Sequence, residues 1–175
     1  MVWRTGCQAC YSKADQVLVV TGAYASQVED ALCGMPLKTV YNPSWAEGQA
    51  ESVKAGVNAL WRQSKAAIFL PADQPLVTAE LLNTLIEAYI AGPASMIAPV
   101  YNNCRSTPIL FDLKWRKEIL SLTGDHGARK LLDAFPGEVT YIPVDEECLL
   151  MDADTPAEYE VLKKLWGARK DVAGE

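Results

Sequence analysis

The chain has no long apolar run, only one histidine, no cysteine framework and a deficit of positive charge. No uninterrupted apolar segment approaches the roughly 18 residues of a membrane-spanning helix. The opening MVWRTGCQAC lacks the apolar centre of a secretory signal, so the cytoplasm is the expected compartment. Five cysteines, an odd number scattered along the chain, exclude a secreted disulfide framework. Cys7 and Cys10 form the one close pair. No second pair follows to complete a structural zinc site, and the pair follows no strand, so it reads as locally packed and no redox cofactor is expected. The single histidine, His126, has no neighbouring Ser or Cys that would suggest a triad, and reads as a polar residue of a helix's first turn. With 16 Lys and Arg against 22 Asp and Glu, the net charge of -6 excludes a broad phosphate-backbone footprint and hence a nucleic-acid partner. One nucleotide held through a metal stays compatible with that balance.

What is present is a folded domain's composition: 175 residues, half of them apolar and 22% charged. The length suits one domain, with a core over about residues 15–166 and a polar tail, 167–175, expected to fray. Apolar β-branched runs predict strands at Gln16–Thr21, Leu37–Tyr41, Ala66–Leu70, Ser95–Ala98, Thr107–Phe111 and Glu138–Pro143. Helical spacing predicts helices over Ala25–Leu32, Gln49–Trp61 and the stripe Leu81, Leu82, Leu85, Ile86, Tyr89, Ile90, with Thr78 as N-cap and Gly92-Pro93 as stop. A further helix follows Gly124-Asp125, with Asp125 suited to cap it and Ala128, Leu131, Leu132 and Phe135 inward. Thr155-Pro156-Ala157-Glu158 has the form of a capping box. Alternation of strands and helices predicts an α/β fold with a mostly parallel sheet covered on both faces.

Asp73, in FLPADQP, ends a buried strand, where open α/β sheets hold ligands. A carboxylate there either coordinates Mg²⁺ beside substrate phosphates or caps a turn. Asp152 and Asp154 alternate about Ala153, so an extended backbone sends both to one side. Asn42 to Ser52 (NPSWAEGQAES) is a glycine-containing turn into a helix whose amides could take an anion, with Ser52 either helping or facing solvent. Arg105 and Arg129 suit a phosphate or an ordinary surface equally.

Together the segments VLVVTG, NPSWAEGQAESVKAG, LPADQPLVT, IAPVY, TPILF, LTGDHGARKLL and MDADTPAEYEVL resemble, in order, the MobA-like nucleotidyltransferases, most closely the molybdenum cofactor cytidylyltransferases. The resemblance runs from about Asp15 to Leu165. It implies a Rossmann-like three-layer α/β/α sandwich, and transfer of CMP or GMP from CTP or GTP to a molybdopterin-type phosphorylated acceptor with release of pyrophosphate. It implies Asp73 and Asp154 as catalytic, Mg²⁺-binding residues. It also implies Gly48 and Ser52 beside the nucleotide, Asp152 near the metal or second substrate, and Gly124, Asp125 and Gly127 on the acceptor side; Asn42 and Arg105 are further candidate ligand-binding residues.

Two departures qualify the resemblance. The family's opening strand and its glycine-rich loop of the form LAAGxSxRMGxxK have no counterpart in MVWRTGCQACYSKAD, so an N-terminally truncated version of the fold is expected. Ser106-Thr107-Pro108 stands where the cofactor branch usually carries Gly-His-Pro. These leave open a non-catalytic binding or scaffold protein, or a fragment lacking its donor loop. The opening strand would lie between Gln16–Thr21 and Ala66–Leu70. Its loss is expected to be repaired by MVWRTGCQAC, by closure of the sheet, or by a homodimer, the favoured expectation.

Overall fold

The computed structural model describes residues 1–125 and 127–173, so the His126 reading lies outside the described residues. The order of elements is α1 (Val2–Tyr11), β1 (Leu18–Thr21), α2 (Ala25–Ala31), β2 (Lys38–Tyr41), α3 (Gln49–Ala59), β3 (Ala66–Phe69), α4 (Ala79–Ala91), β4 (Met96–Tyr101), β5 (Cys104–Arg105), β6 (Ile109–Asp112), α5 (Arg116–Leu120), α6 (Arg129–Ala134), β7 (Val139–Pro143) and α7 (Pro156–Ala173). Short 3-10 turns lie at Trp45–Glu47, Leu113–Trp115, Pro136–Glu138 and Glu147–Leu150.

The local signals act as their chemistry dictates. The Thr78 hydroxyl accepts the Leu81 amide at 3.3 Å and starts α4. At the head of α7, Glu158 accepts the Thr155 amide at 2.8 Å while the Thr155 hydroxyl accepts the Glu158 amide at 3.2 Å, a closed capping box. Asn102 and Asn103 adopt φ of 47° and 62°, the left-handed pair that reverses the chain between β4 and β5.

The sheet is not mostly parallel. β1 pairs with β2 in parallel as a two-stranded sheet, and a second sheet runs β3-β6-β4-β5 with β7 added to β4. Within it β3–β6, β6–β4 and β4–β5 are antiparallel, and only β4–β7 is parallel. The cause is the connection from Tyr101 to Ile109, which is too short to hold the crossover that a parallel return from β4 to β6 would need.

Alternation along β4 and β6 builds two cores. Met96, Ala98, Ile109 and Phe111 face Ala50 and Val57 of α3 and Ile119, Leu131 and Leu132 of α5 and α6. Ile97 and Leu110 face Leu85 of α4 on the other side. Burying each of these larger side chains contributes about 1.5–3 kcal/mol. Phe135, expected inward, is exposed and instead lies against Trp115 with ring centroids 4.4 Å apart.

Three further expectations are corrected. MVWRTGCQAC forms no substitute strand: Val2, Thr5, Gly6 and Ala9 recur at helical spacing, and α1 packs Ala9 against Val77, Leu81 and Leu82. Helix α6 starts after Ala128 with no side-chain cap, so Asp125 does not cap it. The tail expected to fray from 167 onward is helical to Ala173: α7 continues through Gly167, which weakens a helix but, unlike proline, does not end one.

Helices α1 and α3 each span the two sheets. α3 packs Gly56 against Val20 of β1 and places Ala50 and Val57 in the core of β4 and β6. On the opposite side, α1 approaches Leu32 and Leu37 through Gly6 and reaches the loop after β3 through Arg4 and Thr5. β1 pairs with β2 and β3 with β6, and β1 and β3 are not paired with each other.

Candidate active site

At the end of β3 the chain turns through Pro71-Ala72-Asp73-Gln74-Pro75, and α1 holds this loop. Thr5 Oγ1 donates to the Ala72 carbonyl at 3.2 Å, and Arg4 Nε donates to the Pro75 carbonyl at 2.5 Å. Arg4 also stacks over Trp166 of α7 at 4.3 Å. Neither Arg4 nor Thr5 stands out in the sequence, because each acts on backbone carbonyls from a helix with no motif of its own.

Asp73 occupies the middle of that loop. Its Oδ1 is buried and has no hydrogen-bond partner. Burial raises its carboxyl pKa above the ordinary aspartate range, a backbone hydrogen bond opposes this, and the charges of Asp152 and Asp154 push it further up. The DADTP segment therefore does meet the β3 loop, and the Ala153 amide joins them by donating to the Asp73 carbonyl at 3.1 Å. Ala153 is half-buried while Asp152 and Asp154 are exposed on either side of it, as the alternation requires.

An orphaned carboxylate oxygen beside two further acids is an arrangement a divalent cation would complete, and hard cations such as Mg²⁺ take oxygen donors. Among the described residues no three His, Cys, Asp or Glu side chains gather closely enough to ligate one ion by themselves. This donor set fits Mg²⁺, which binds through one or two carboxylates and fills its other positions with water and phosphate.

A second constellation forms where two turns cross. Gly48, at φ 115° and ψ 173°, lies against Gly124, and the Ala50 amide donates to the Gly124 carbonyl at 3.0 Å. A Cβ at Gly127 would lie 2.5 Å from Gln49 Oε1, so the second turn closes on the first at both glycines. Gly48, Gly124, Asp125 and Gly127, expected to serve different substrates, are thus neighbours. Asn42 is 2% exposed; its Nδ2 donates to Ser52 Oγ at 3.1 Å and its Oδ1 accepts the Ser44 amide at 3.0 Å. Ser52 is therefore bonded to the loop and not simply solvent-facing. Trp45 packs over Gly22 at the end of β1, where a Cβ would come within 2.7 Å.

Thr21, which sequence reasoning missed, is 3% exposed with no partner for its hydroxyl. It ends β1 as Asp73 follows β3, and just beyond it Gly22, Tyr24 and Tyr41 line an open depression of about 410 Å³. A larger depression of about 540 Å³ lies at Lys114, Arg116 and Leu120, residues of neither constellation. Arg105 is engaged by Asp133, whose hydrogen bond, with that of Tyr141, raises its pKa, and its carbonyl accepts from Arg129 Nη2 at 2.7 Å. Both arginines are tied into one surface cluster. Burial, and then the neighbouring Cys7, raises the Cys10 thiol pKa, which disfavours the reactive thiolate.

Residues 1–143 match the domain family described as MobA-like NTP transferase. The chain belongs to that family. Among solved structures it is similar to Rv0371c of Mycobacterium tuberculosis H37Rv in complex with manganese, at 23% identity and a TM-score of 0.81 over 93% of this chain and 85% of that one. It is also similar to a nucleotidyl transferase from Methanothermobacter thermautotrophicus, at 21% identity and a TM-score of 0.82 over 97% and 82%. A 4-diphosphocytidyl-2C-methyl-D-erythritol synthase from Anaerococcus prevotii shares 16% identity and a TM-score of 0.74 over 94% and 86%. No curated protein matches the sequence. The nucleotidyltransferase α/β fold is thereby established for this chain, and among the described residues no helix is long and apolar enough to cross a membrane.

Proposed function

We propose that this MobA-like NTP transferase moves CMP or GMP from CTP or GTP to a molybdopterin-type phosphorylated acceptor and releases pyrophosphate. The observation that carries the reading is the buried, unpartnered Oδ1 of Asp73 beside Asp152 and Asp154 at the end of β3. Asp73 and Asp154 would hold Mg²⁺, with Asp152 beside them. A bound Mg²⁺ would offset charge developing on the triphosphate. An acceptor phosphate oxygen forms a bond to the α-phosphorus while the bond to the bridging oxygen of the β-phosphate breaks, and the electron pair leaves with pyrophosphate. The turn from Asn42 to Ser52 would meet the donor nucleotide: Gly48 lets this turn close on Gly124, and the Asn42–Ser52 bond orients the serine hydroxyl. Gly124, Asp125 and Gly127, closed against that turn, would face the acceptor, and Arg105 would add positive charge on that side.

The chain's five free cysteines suit a reducing compartment, and we assign it to the cytoplasm. We further infer a homodimer, because β1 and β3 each pair on one side alone among the described residues.

Incubating the protein with Mg²⁺, labelled CTP or GTP and molybdopterin tests the reaction. Nucleotidylated product with stoichiometric pyrophosphate is expected. Calorimetric binding of nucleotide or acceptor without product would instead favour a binding or scaffold protein built on this fold. Neither turnover nor binding would reject both readings.

A further inference from the structure

Gln74 follows the candidate metal ligand and is 2% exposed, between the loop and the fully buried Leu76 and Val77. A primary amide in such a place costs stability unless both of its ends are bonded. Both are. Nε2 donates to the Leu150 carbonyl at 3.1 Å, and Oε1 accepts from the Thr107 hydroxyl at 2.9 Å. The Leu150 carbonyl can only accept, so it must meet the amide nitrogen, and this fixes which way the carboxamide lies.

The consequence concerns the acids opposite. Asp73 binds the Ala153 amide through its carbonyl, and Gln74 binds the Leu150 carbonyl through its side chain. Two consecutive residues thus grip the facing chain at 150 and at 153 and bracket Asp152 between them. Residues 151–154 have no helical or strand hydrogen bonding of their own. The direction of Asp152 and Asp154 is therefore set by these tethers. We propose that Gln74 is a positioning residue: acting through the Leu150 carbonyl, it holds Asp152 and Asp154 in register with Asp73 and so sets the divalent-cation affinity of the cluster. The affinity half of this proposal rests on reading the three acids as a cation site; the positioning half does not.

Two variants separate positioning from bulk stability. Gln74→Met keeps an unbranched side chain of similar length and loses both bonds. Thr107→Val removes the half-buried hydroxyl that donates to Gln74 Oε1 but leaves the Gln74–Leu150 bond intact. Mn²⁺ alone serves as the probe, with free ion counted by electron paramagnetic resonance. The Ala153 amide is followed by hydrogen exchange in the metal-free protein, and thermal unfolding is recorded for each variant. Gln74→Met is expected to weaken Mn²⁺ binding about tenfold or more, as loss of a supporting contact around a metal site does. Its Ala153 amide should exchange faster by a similar factor. Thr107→Val is expected to stay within about twofold of the parent in both readouts, even where its melting temperature falls.

Unchanged Ala153 protection in Gln74→Met would overturn the proposal. So would the two variants shifting affinity and exchange in proportion to their lost melting temperature, which is the signature of a merely structural residue. If the parent protein binds no Mn²⁺ while Gln74→Met still exposes Ala153, the cation reading and the affinity claim fall, and the positioning claim is supported.

Discussion

Gly48 and Gly124 touch so closely that a Cβ on Gly48 would lie 2.6 Å from both the carbonyl carbon and oxygen of Gly124. This contact makes one surface of two turns more than seventy residues apart in the sequence. Gly48 also has φ 115° and ψ 173°, a conformation open essentially to glycine alone. Gly124, at φ 68°, has no atoms within 4 Å of a would-be Cβ.

The two glycines should therefore respond unequally to alanine. Gly48→Ala meets backbone atoms that cannot swing aside and adds torsional strain, so we expect a loss of about 2–4 kcal/mol. Gly124→Ala bears only the left-handed penalty of about 1–2 kcal/mol. Urea unfolding with unchanged slopes would measure both. Equal losses would mean that the turns separate easily and that the contact is not what holds them.

Asp73 should trade stability for metal binding. Its ionised form is disfavoured by burial and by Asp152 and Asp154, and its Oδ1 has no donor. Asp73→Asn removes that charge and is expected to raise the melting temperature of the metal-free protein at neutral pH. Relief of such a site falls in the usual stabilising range of about 0.5–2 kcal/mol. The same variant should lose Mn²⁺ binding and nucleotidyl transfer. A destabilised Asn variant would show that the carboxylate is satisfied in the metal-free protein and would remove the reason for a cation there.

Much of this was legible in the sequence, and what was not has a common physical cause. Strand ends, the Thr78 cap and the Thr155–Glu158 box depend on residues within one turn of each other, so spacing reveals them. The resemblance put Asp73 and the DADTP segment near one metal or substrate, but no local pattern carries a contact across that much chain, and only the bond from the Ala153 amide to the Asp73 carbonyl brings them together. The antiparallel insertion of β6 was missed because β4 and β6 are apolar on both faces, and such runs read as parallel strands. Gln74, Thr21 and Arg4 were missed because their roles lie in single bonds, or missing bonds, to distant backbone and side chains. The exposed carboxylates could be noticed by type, whereas a buried glutamine or threonine looks like any other.

Tyr89 gives a pH dependence with a definite sign. Burial, followed by its 2.7 Å hydrogen bond to Asp112, raises the phenol from the ordinary value of 10.0 to about 12. The folded protein holds this proton more tightly than the unfolded chain. The stabilisation is therefore complete below pH 10.0 and is lost as pH rises through about 12. Tyr89→Phe should cost about 0.5–1.5 kcal/mol at neutral pH, the net worth of one such bond. In tyrosinate absorbance titrations the parent should show a late component that this variant lacks; its persistence in Tyr89→Phe would assign it to another tyrosine.

The last prediction concerns assembly. β1 pairs with β2 and β3 with β6, and among the described residues neither strand has a partner on its other edge. The residues of β3 and most of β1 are only half-buried, although β4 and β6 are buried through most of their length. α1 is committed as a helix to the loop after β3, so it does not supply the missing hydrogen bonds. Apolar strands with unpaired amides and carbonyls favour association, and two-fold pairing is its commonest closed form. We therefore expect a homodimer in solution. Light scattering after size exclusion, across a dilution series, should give about twice 19.1 kDa and fall toward the monomer only at low concentration. Val19→Lys places a charge on β1 and should shift that midpoint to higher concentration. A monomer of 19.1 kDa at every concentration, with cooperative unfolding, would reject the dimer and require the two strand edges to be tolerated within one chain.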